Sequence, residues 1–407
     1  MNKVTQLFFL VLFPFLPFLA WMVSLVRDTQ IEMFLTLMLI PFALYVIISP
    51  KVNFPKYLTF FFLFTIYHLV SVFVYKLVPS DTTTFKFLLA DRFVLASLFF
   101  FVVENTDFDE RFIRIMNRNI FLIIIISVIF SLIQLKNSSF FVAPMVSENL
   151  DNETFLTENR VFSIYSWVNL NTLGISFPIL IAILLSFLST RNLYTAFLFL
   201  SGIIVSFLSK ARYVMLSVII VFSQLLFIAK IKFGKKVAFF FIFIVTIIIS
   251  VVVANVMGYN IQEVINDRIL EKSTNMGSAS SRILSFFVFL RVFPENPLFG
   301  VGPHTSVEVV RLLAGRAPII HVGFLSYLYF YGIFGASMLF ISLFYMLKKA
   351  WRIGSKYQFW AGFFGLLAFC FANTTMVYFN FSEMGIILIF IYLRYFSQTE
   401  SMELVED

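Results

Sequence analysis

Residues 280–335 gather the side chains best suited to chemistry on a phosphate-bearing substrate. Two of the three histidines, His304 and His321, lie in this stretch together with Arg282 and Arg291. A guanidinium group donates two parallel hydrogen bonds to phosphate oxygens, and a neutral imidazole accepts a proton near neutral pH. We therefore expect an anion-binding site with a candidate general base in this part of the chain.

His321 is the leading candidate base because it begins an apolar run at the predicted outer membrane interface. His304 competes for the same role from a turn, and a lone interfacial histidine more often has no chemical role. His68 lies in the middle of another apolar run, which favours a packing or hydrogen-bonding role for it.

Two arginines are candidates for binding an anion at the outer face, and for Arg282 a predicted helix start adds free backbone N–H groups that favour anions. Ser280 or Ser281 is the expected N-cap of a helix over 282–293, which places Arg282 in the first turn. Arg212 closes a four-residue turn between two apolar runs at the predicted outer face. The alternative for either arginine is a surface charge that contacts lipid headgroups.

Asp91 and Arg92 lie inside an apolar run, where ionisable side chains are costly and are functional candidates. Adjacent residues do not face each other on a helix, so we expect the two to have separate partners. For each of the two residues, the sequence is compatible with a structural partner and with a contact to the substrate.

The elements that must position these residues are membrane helices. Of 407 residues, 60% are hydrophobic and 13% charged, which excludes an ordinary soluble protein. We predict an all-α polytopic membrane protein with about twelve transmembrane helices and a large external loop. The predicted spans are 6–26, 31–49, 57–75, 87–104, 119–135, 171–189, 193–209, 213–230, 237–257, 321–347, 358–378 and 382–396.

The distribution of basic residues predicts that both termini are cytoplasmic. The predicted inner segments hold sixteen Lys and Arg residues, against seven in the outer loops other than 258–320. Three regions follow from this topology. Transmembrane helices 1–9 occupy 1–257, with an outer loop near 136–170. An external catalytic loop with short helices occupies 258–320, and 321–407 holds helices 10–12 and an acidic cytoplasmic tail that we expect to be disordered.

Three motifs resemble the O-antigen polymerase and O-antigen ligase superfamily, whose polytopic membrane enzymes share a Wzy-C type region. Arg212 lies at a helix junction similar to the family's Ser-Arg turn. Arg282, an apolar helix and the sequence NPLFGVG at 296–302 match the family's Arg…(N/R)PLxGxG segment. His321, followed after ten residues by GIFG at 332–335, is similar to the ligase pattern H-[NSQ]-x9-G-x-x-[GTY], with valine in its second position.

The resemblance implies an inverting glycosyltransferase that needs no metal and no cofactor. It would act at the outer face of the bacterial cytoplasmic (inner) membrane on a glycan linked to undecaprenyl diphosphate. Arg212 and Arg282 would bind the diphosphate, and His321 would act as the base toward the acceptor hydroxyl. Val322, in place of Asn, Ser or Gln, favours a repeat-unit polymerase of a surface polysaccharide such as lipopolysaccharide or capsule over an O-antigen ligase to lipid A-core.

A function of another class is a transporter or flippase for the same lipid-linked glycans. Transporters typically carry paired repeats and discontinuous helices near the membrane midplane, and we identify neither in the sequence. The transferase is therefore favoured. Its expected partners are the lipid-linked donor, a glycan or lipid A-core acceptor, membrane lipids, a flippase and a chain-length regulator, whereas nucleic acid is not expected.

Overall fold

A computed structural model of the chain contains only helices as regular elements in the part of the chain that it describes. The described residues are 2–24, 31–75, 83–137, 140–141, 161–165, 170–187, 192–209, 211–228, 234, 237, 241, 278–303, 320, 322–374 and 379–406. The predicted all-α class is therefore confirmed, and the helices are numbered in chain order. They are α1 Asn2–Ser24, α2 Ile31–Ile48, α3 Lys56–Val74, α4 Thr84–Ala90, α5 Arg92–Glu104, α6 Glu110–Lys136, α7 Leu170–Ser186, α8 Asn192–Leu208, α9 Arg212–Ser223, α10 Ser278–Val292, α11 Gly323–Tyr357, α12 Ala361–Ala372 and α13 Met384–Glu406. Short 3₁₀ turns lie at Ser163–Tyr165, Gln224–Leu226 and Phe293–Glu295.

Five of these helices are long and apolar enough to span a membrane, namely α1, α2, α3, α6 and α11. Shorter apolar helices lie at Leu173–Ser186, Tyr194–Leu208, Tyr213–Leu226, Ala361–Ala372 and Met384–Thr399. The multi-pass membrane class is confirmed, whereas the number of about twelve spans stays a prediction. The predicted span 237–257 lies almost wholly outside the described residues.

The exposed face of α1 is apolar, as expected for a helix that contacts lipid. Leu7, Val11 and Phe15 follow each other at one-turn spacing and are all more than half exposed. Phe9 and Phe13 on the opposite face are fully buried in the core. In water such an apolar outer stripe would be strongly unfavourable, but against hydrocarbon it costs nothing.

Two helices extend beyond their predicted ends. α6 begins at Glu110 rather than 119, because the Asp109 carboxylate accepts from the Phe112 N–H at 2.7 Å and caps the helix. Arg114 in its second turn pairs with Glu110 at 2.8 Å. α13 continues through Glu406, so the expectation of a disordered tail is wrong: the helix formers Glu, Met and Leu between 400 and 406 extend the preceding helix.

The most irregular backbone lies in α11, which is broken at Gly332 (φ 61°, ψ −174°). The break removes the helical bonds that Ile333 and Phe334 N–H would make to the Tyr329 and Phe330 carbonyls. Residues 297–302 replace them. The Ile333 and Phe334 N–H groups donate to the carbonyls of 297 and 298 at 2.8 and 3.0 Å, and the Tyr329 and Phe330 carbonyls accept from the N–H groups of 301 and 302 at 3.2 and 2.9 Å.

These paired backbone segments, 297–302 and 329–334, are here called the joint. Unpaired backbone groups are very costly in a membrane, and four bonds across the joint satisfy the groups that the break leaves open. Side chains of α3 complete it. The Tyr67 hydroxyl donates to the Phe299 carbonyl at 2.8 Å, and the Tyr75 hydroxyl donates to the Gly300 carbonyl at 2.9 Å.

Glycine is required on both sides of the joint. Gly300 and Gly332 both have positive φ, and a Cβ at either position would lie 2.3 Å from backbone atoms of the opposite segment. The NPLFGVG and GIFG sequences are therefore two halves of one structural element. Because neither backbone can move without breaking its bonds to the other, these glycines fix how closely the two segments approach.

Gly332→Ala is expected to lower the free energy of unfolding by about 2–6 kcal/mol. The residue has a backbone conformation that is nearly exclusive to glycine, costing about 1–3 kcal/mol for alanine, and the added methyl overpacks against Leu298 at a similar cost. The measurement is the apparent Tm of detergent-purified protein. Gly234→Ala is the control, since its Cβ would meet no described atom within 4 Å. An unchanged Tm for Gly332→Ala would show that the joint does not constrain the fold.

Candidate active site

The four residues with the strongest predicted roles are only partly placed by the structure. His304 and His321 lie outside the described residues, so their roles stay predictions. The backbones of Arg212 and Arg282 are described, each within a helix, but their side chains are not. What the structure adds for the arginines is therefore the environment of each helix start.

Arg212 is the first residue of α9, and this agrees with the expected position at a helix start. The preceding Ala211 has an extended backbone (φ −107°, ψ 116°), and no side chain caps the helix. The Ser209 hydroxyl accepts from the Ala211 N–H at 3.3 Å instead. The positive end of the α9 dipole thus lies directly at Arg212, which favours an anion at this position.

Arg282 lies deeper in its helix than predicted. α10 begins at Ser278, so Ser280 and Ser281 are inside the helix and the predicted N-cap is wrong. Serine is tolerated in a first helical turn and Ala279 is a strong helix former, which together extend the helix backward. Arg282 is the fifth residue of α10, where the dipole effect has already weakened. Any phosphate binding there must come from the guanidinium group itself.

Arg291 lies in the last turn of α10, with an exposed side chain. A cation at a helix C-terminus interacts favourably with the dipole, so its position has a structural explanation. The helix ends at Val292 and a 3₁₀ turn at Phe293–Glu295 follows, close to the predicted end before Pro294. α10 therefore leads directly into the joint at 297.

Asp91 interrupts the predicted span 87–104, which is not one helix but the pair α4 and α5. Asp91 has an extended backbone, and its Oδ1 accepts from the Phe93 and Val94 N–H groups at 2.9 and 3.0 Å. An aspartate that binds these N–H groups starts a new helix in place of continuing the old one. The expectation of one continuous helix is wrong at this point.

Asp91 and Arg92 have separate partners, as expected for adjacent residues. Asp91 Oδ2 lies 2.7 Å from His68 Nε2, and both side chains are buried. Arg92 Nε donates to Glu32 Oε1 at 3.1 Å. Structural pairing is thus observed for both residues, and substrate contact by either stays a prediction.

His68 joins Asp91 to a third residue that sequence analysis did not single out. Its Nδ1 lies 2.8 Å from the Tyr331 hydroxyl, so the expected hydrogen-bonding role of His68 is confirmed. An ionised Asp91 can only accept, so the Nε2 of His68 is the donor in this contact. In the tautomer that carries its proton on Nε2, Nδ1 accepts from the Tyr331 O–H.

This Asp91–His68–Tyr331 chain connects three parts of the bundle. Asp91 separates α4 from α5, His68 lies on α3, and Tyr331 directly precedes the break at Gly332. All three side chains are buried. The chain of hydrogen bonds therefore connects the boundary between α4 and α5 to the joint. The sequence offers one signal for the role of Tyr331, namely its position directly before the GIFG motif at 332–335.

Metal binding has no support in the part of the chain that the structure describes. No group of three or more His, Cys, Asp and Glu residues there could hold an ion. Asp91 and His68, the closest such pair described above, bind each other. Because His304 and His321 are outside the described residues, the expected metal independence stays a prediction.

Residues 195–340 match the model of a protein family described as O-Antigen ligase. A search of curated proteins finds no match. The matched region contains Arg212, Arg282 and His321, and both halves of the joint. The resemblance of residues 195–340 to the O-antigen polymerase and ligase superfamily is therefore confirmed.

Tyr331→Phe is expected to lower the free energy of unfolding by about 1–3 kcal/mol. The substitution leaves the buried His68 Nδ1 without its hydrogen-bond partner, and this is the usual cost of such a loss. The measurement is the apparent Tm in detergent. Tyr345→Phe on the same helix is the control, because its half-buried ring stacks on Phe60 and its hydroxyl has no hydrogen bond to any residue that the structure describes. Equal Tm values for the two variants would contradict a structural role for the chain.

Proposed function

Since residues 195–340 carry an O-antigen ligase region, we propose that the protein is a glycosyltransferase of surface polysaccharide biosynthesis. It transfers a glycan from undecaprenyl diphosphate to an acceptor hydroxyl at the outer face of the bacterial cytoplasmic membrane. Within this class it is a repeat-unit polymerase with both termini in the cytoplasm. The observation that carries the proposal is the family match, which spans the two arginines, the joint and His321 in the order the superfamily has them.

The diphosphate is bound by Arg212 and Arg282. The start of α9 supports this role for Arg212, because its dipole and guanidinium group both favour an anion. Arg282 adds a second two-pronged donor, and a diphosphate has enough oxygens for both. Arg291 and His304 are further candidates for the same site. The two cations stabilise the negative charge that develops as the diphosphate leaves.

His321 is the base that takes the proton from the acceptor hydroxyl. The described residues near it in the chain are held in place. Ile320 is buried and its carbonyl accepts from the Ser326 hydroxyl, and the Gly323 N–H donates to the Asn373 carbonyl at 2.9 Å. The base must come within hydrogen-bond reach of the proton that it abstracts.

The reaction is a single displacement that inverts the anomeric centre. As His321 removes the proton, the acceptor oxygen forms a bond to the anomeric carbon, and the bond from that carbon to the diphosphate oxygen breaks. The electron pair leaves with undecaprenyl diphosphate, whose charge the arginines balance. No step requires a metal ion, since cationic side chains supply the charge stabilisation.

Val322 supports a polymerase rather than a ligase to lipid A-core. It occupies the N-cap position of α11, and it makes no side-chain capping bond. Asn, Ser or Gln, which the ligase pattern has here, could accept from the helix N–H groups. Val322 cannot make such a bond, so the start of α11 differs at this position from the ligase pattern.

The transporter or flippase alternative gains one specific observation. Contrary to expectation, two helices are discontinuous, one at Asp91 and one at Gly332, and discontinuous helices are typical of transporters. The break at Gly332, however, is bridged by backbone hydrogen bonds to residues 297–302. A closed joint of this kind favours the transferase. The expected flippase and chain-length regulator are then separate partners.

Arg212→Lys and Arg282→Lys are each expected to lose most polymerising activity, because a lysine cannot reproduce the paired donors of a guanidinium group. The measurement is undecaprenyl diphosphate released by purified protein from lipid-linked donor, together with the ladder of polymer in cells at matched expression. Arg114→Lys is the control, since its exposed pair with Glu110 lies outside the site. Full activity of both variants would show that these arginines do not bind the diphosphate and are only surface charges. If the wild-type protein releases no undecaprenyl diphosphate, the transporter is favoured.

His321→Ala is expected to lower the transfer rate by about 10²–10⁴, the usual contribution of a general base. Binding of the lipid-linked donor should persist because both arginines remain. His304→Ala is the comparison and should be milder. If His304→Ala is inactive and His321→Ala is active, the base is His304 and not His321. If both variants are active, neither histidine acts as the base.

A further inference from the structure

Arg92 is paired differently from the other arginines that the structure shows in ion pairs. Its Nε donates to Glu32 Oε1 at 3.1 Å, and the Glu32 side chain is only 13% exposed whereas that of Arg92 is 45% exposed. Arg114 pairs with an exposed glutamate of its own helix. Arg394 directs both Nε and Nη2 to acceptors in the segment between α5 and α6. Of these three arginines, Arg92 alone joins a largely buried carboxylate to an exposed guanidinium group.

The contact with Glu32 fixes the guanidinium group of Arg92 and leaves part of it available. Only Nε is bonded, and neither Nη1 nor Nη2 has a hydrogen bond to any residue that the structure describes. The two Nη groups of a planar guanidinium present parallel N–H donors, and this spacing matches two oxygens of a phosphate. Glu32 therefore holds a two-pronged donor that an anion can meet.

The backbone before Arg92 is fixed to the joint. Asp91 caps α5 and binds His68, and His68 binds the residue that precedes the break in α11. The other half of the joint follows α10 after one 3₁₀ turn, and α10 carries Arg282. The start of α5 is thus connected by two side-chain contacts to the element that leads from Arg282.

The residue after Arg92 packs against the beginning of α11. The centres of the Phe93 and Tyr327 rings lie 6.1 Å apart in an edge-to-face arrangement, and both rings are buried. Tyr327 lies in the second turn of α11, the helix that begins two positions after His321. The start of α5 therefore lies against the first turns of this helix.

The carboxylate partner leads to the third segment with a predicted site residue. Glu32 and Tyr165 line the same small cavity. The Val161 N–H donates to the Leu208 carbonyl at 3.3 Å, which ties the chain before the Tyr165 turn to the end of α8. Arg212 begins α9 four positions later. In the proposed topology these helix ends all lie at the outer face, where a basic side chain is not favoured by the charge distribution of membrane proteins and needs a reason of its own.

The proposed reaction creates one more negative charge than two arginines balance. Each phosphate of the bound donor carries one negative charge, which Arg212 and Arg282 match. When the bond to the anomeric carbon breaks, the oxygen that leaves with undecaprenyl diphosphate gains a further negative charge. A third cation that meets this charge stabilises the transition state more than the bound donor, so it raises kcat rather than the affinity for the donor.

We propose that Arg92 donates through its two Nη groups to the diphosphate as the glycan leaves, and that Glu32 is the residue that positions it. The ligand class is a polyprenyl diphosphate. The inference rests on the proposed transferase function and adds to it a third arginine for the leaving group. It also separates the two neighbours in the chain, because Asp91 then has a structural role and Arg92 contacts the substrate.

The test uses the full-length protein in nanodiscs of phosphatidylcholine, with lipid-linked donor as the substrate and undecaprenyl diphosphate as the binding probe. Arg92→Gln is expected to lower kcat by about 10- to 100-fold, the usual range for a hydrogen bond to a charged group, and to change the KM for the donor by less than about threefold. The affinity for undecaprenyl diphosphate, measured by calorimetry, should fall by a similar factor to kcat. Lys86→Gln removes a positive charge from an exposed side chain of α4 and is the matched control, which should change neither quantity.

Two further variants separate this role from a merely structural one. Arg92→Gln leaves the Glu32 carboxylate without its partner, whereas the double variant Arg92→Gln/Glu32→Gln removes both charges and should retain the Tm of the wild type while kcat stays low. Glu32→Gln alone keeps an oxygen that accepts from Arg92 Nε and should be mild, but Glu32→Ala should lower kcat with little change in KM. A double variant with the kcat of the wild type would overturn the role of Arg92, and an unchanged kcat in Glu32→Ala would overturn the positioning role of Glu32.

The remaining outcomes distinguish this proposal from the transferase itself. If the wild-type protein transfers glycan and Arg92→Gln matches it in kcat and in affinity for undecaprenyl diphosphate, the transferase stands and the third arginine is wrong. If the wild-type protein never releases undecaprenyl diphosphate from the donor but binds the probe in an Arg92-dependent way, the anion contact stands and the transferase is wrong. If binding of the probe does not depend on Arg92, and phosphatidylglycerol raises the Tm of the wild type but not of Arg92→Gln, the residue binds lipid headgroups and the proposal is overturned.

Discussion

The exchange of backbone hydrogen bonds at the joint is the constraint on which the candidate site depends. A helix inside a membrane cannot leave its N–H and carbonyl groups open, so a break at Gly332 requires another backbone at bonding distance. Residues 297–302 meet that requirement with four bonds, and glycines at 300 and 332 permit the approach. The chain that follows α10 and the chain that begins α11 are therefore placed relative to each other by backbone geometry rather than by side-chain contacts.

The side chains around the joint add a second level of order. Tyr67 and Tyr75 satisfy carbonyls that the four bonds do not use, and His68 connects Tyr331 to Asp91. The neighbouring residues 67 and 68 of α3 thus contact the two segments of the joint, at Phe299 and Tyr331. In a low-dielectric interior such hydrogen bonds are strong, and an incomplete network would be costly. These hydrogen bonds give His68, Asp91 and Tyr331 a structural role within chain segments that are otherwise largely apolar.

The sequence predicted the class of protein because hydrophobic composition alone determines it, and it predicted most helices because membrane spans have a length set by the bilayer. It did not predict the breaks. The break at Asp91 depends on the local cap that its side chain forms with Phe93 and Val94, and the break at Gly332 depends on residues 297–302, which precede it by about thirty positions in the chain. Lys349, which the sequence places among the inner topology charges, pairs with Glu104 and lies over the Tyr57 ring. The arginines and His321 were identified by their motifs, whereas the contact of His68 with Tyr331 gave no signal because the two residues lie on different helices.

The residues that flank 304–319 both belong to or contact one element. Pro303 directly follows the last bonded residue of 297–302, and Ile320 is buried and its carbonyl accepts from Ser326 in the first turn of α11. The four bonds between 297–302 and 329–334 use no atom of the chain between 303 and 320. The pairing is therefore specified by residues outside that stretch, and substitutions confined to 304–319 leave the bonded residues themselves unaltered.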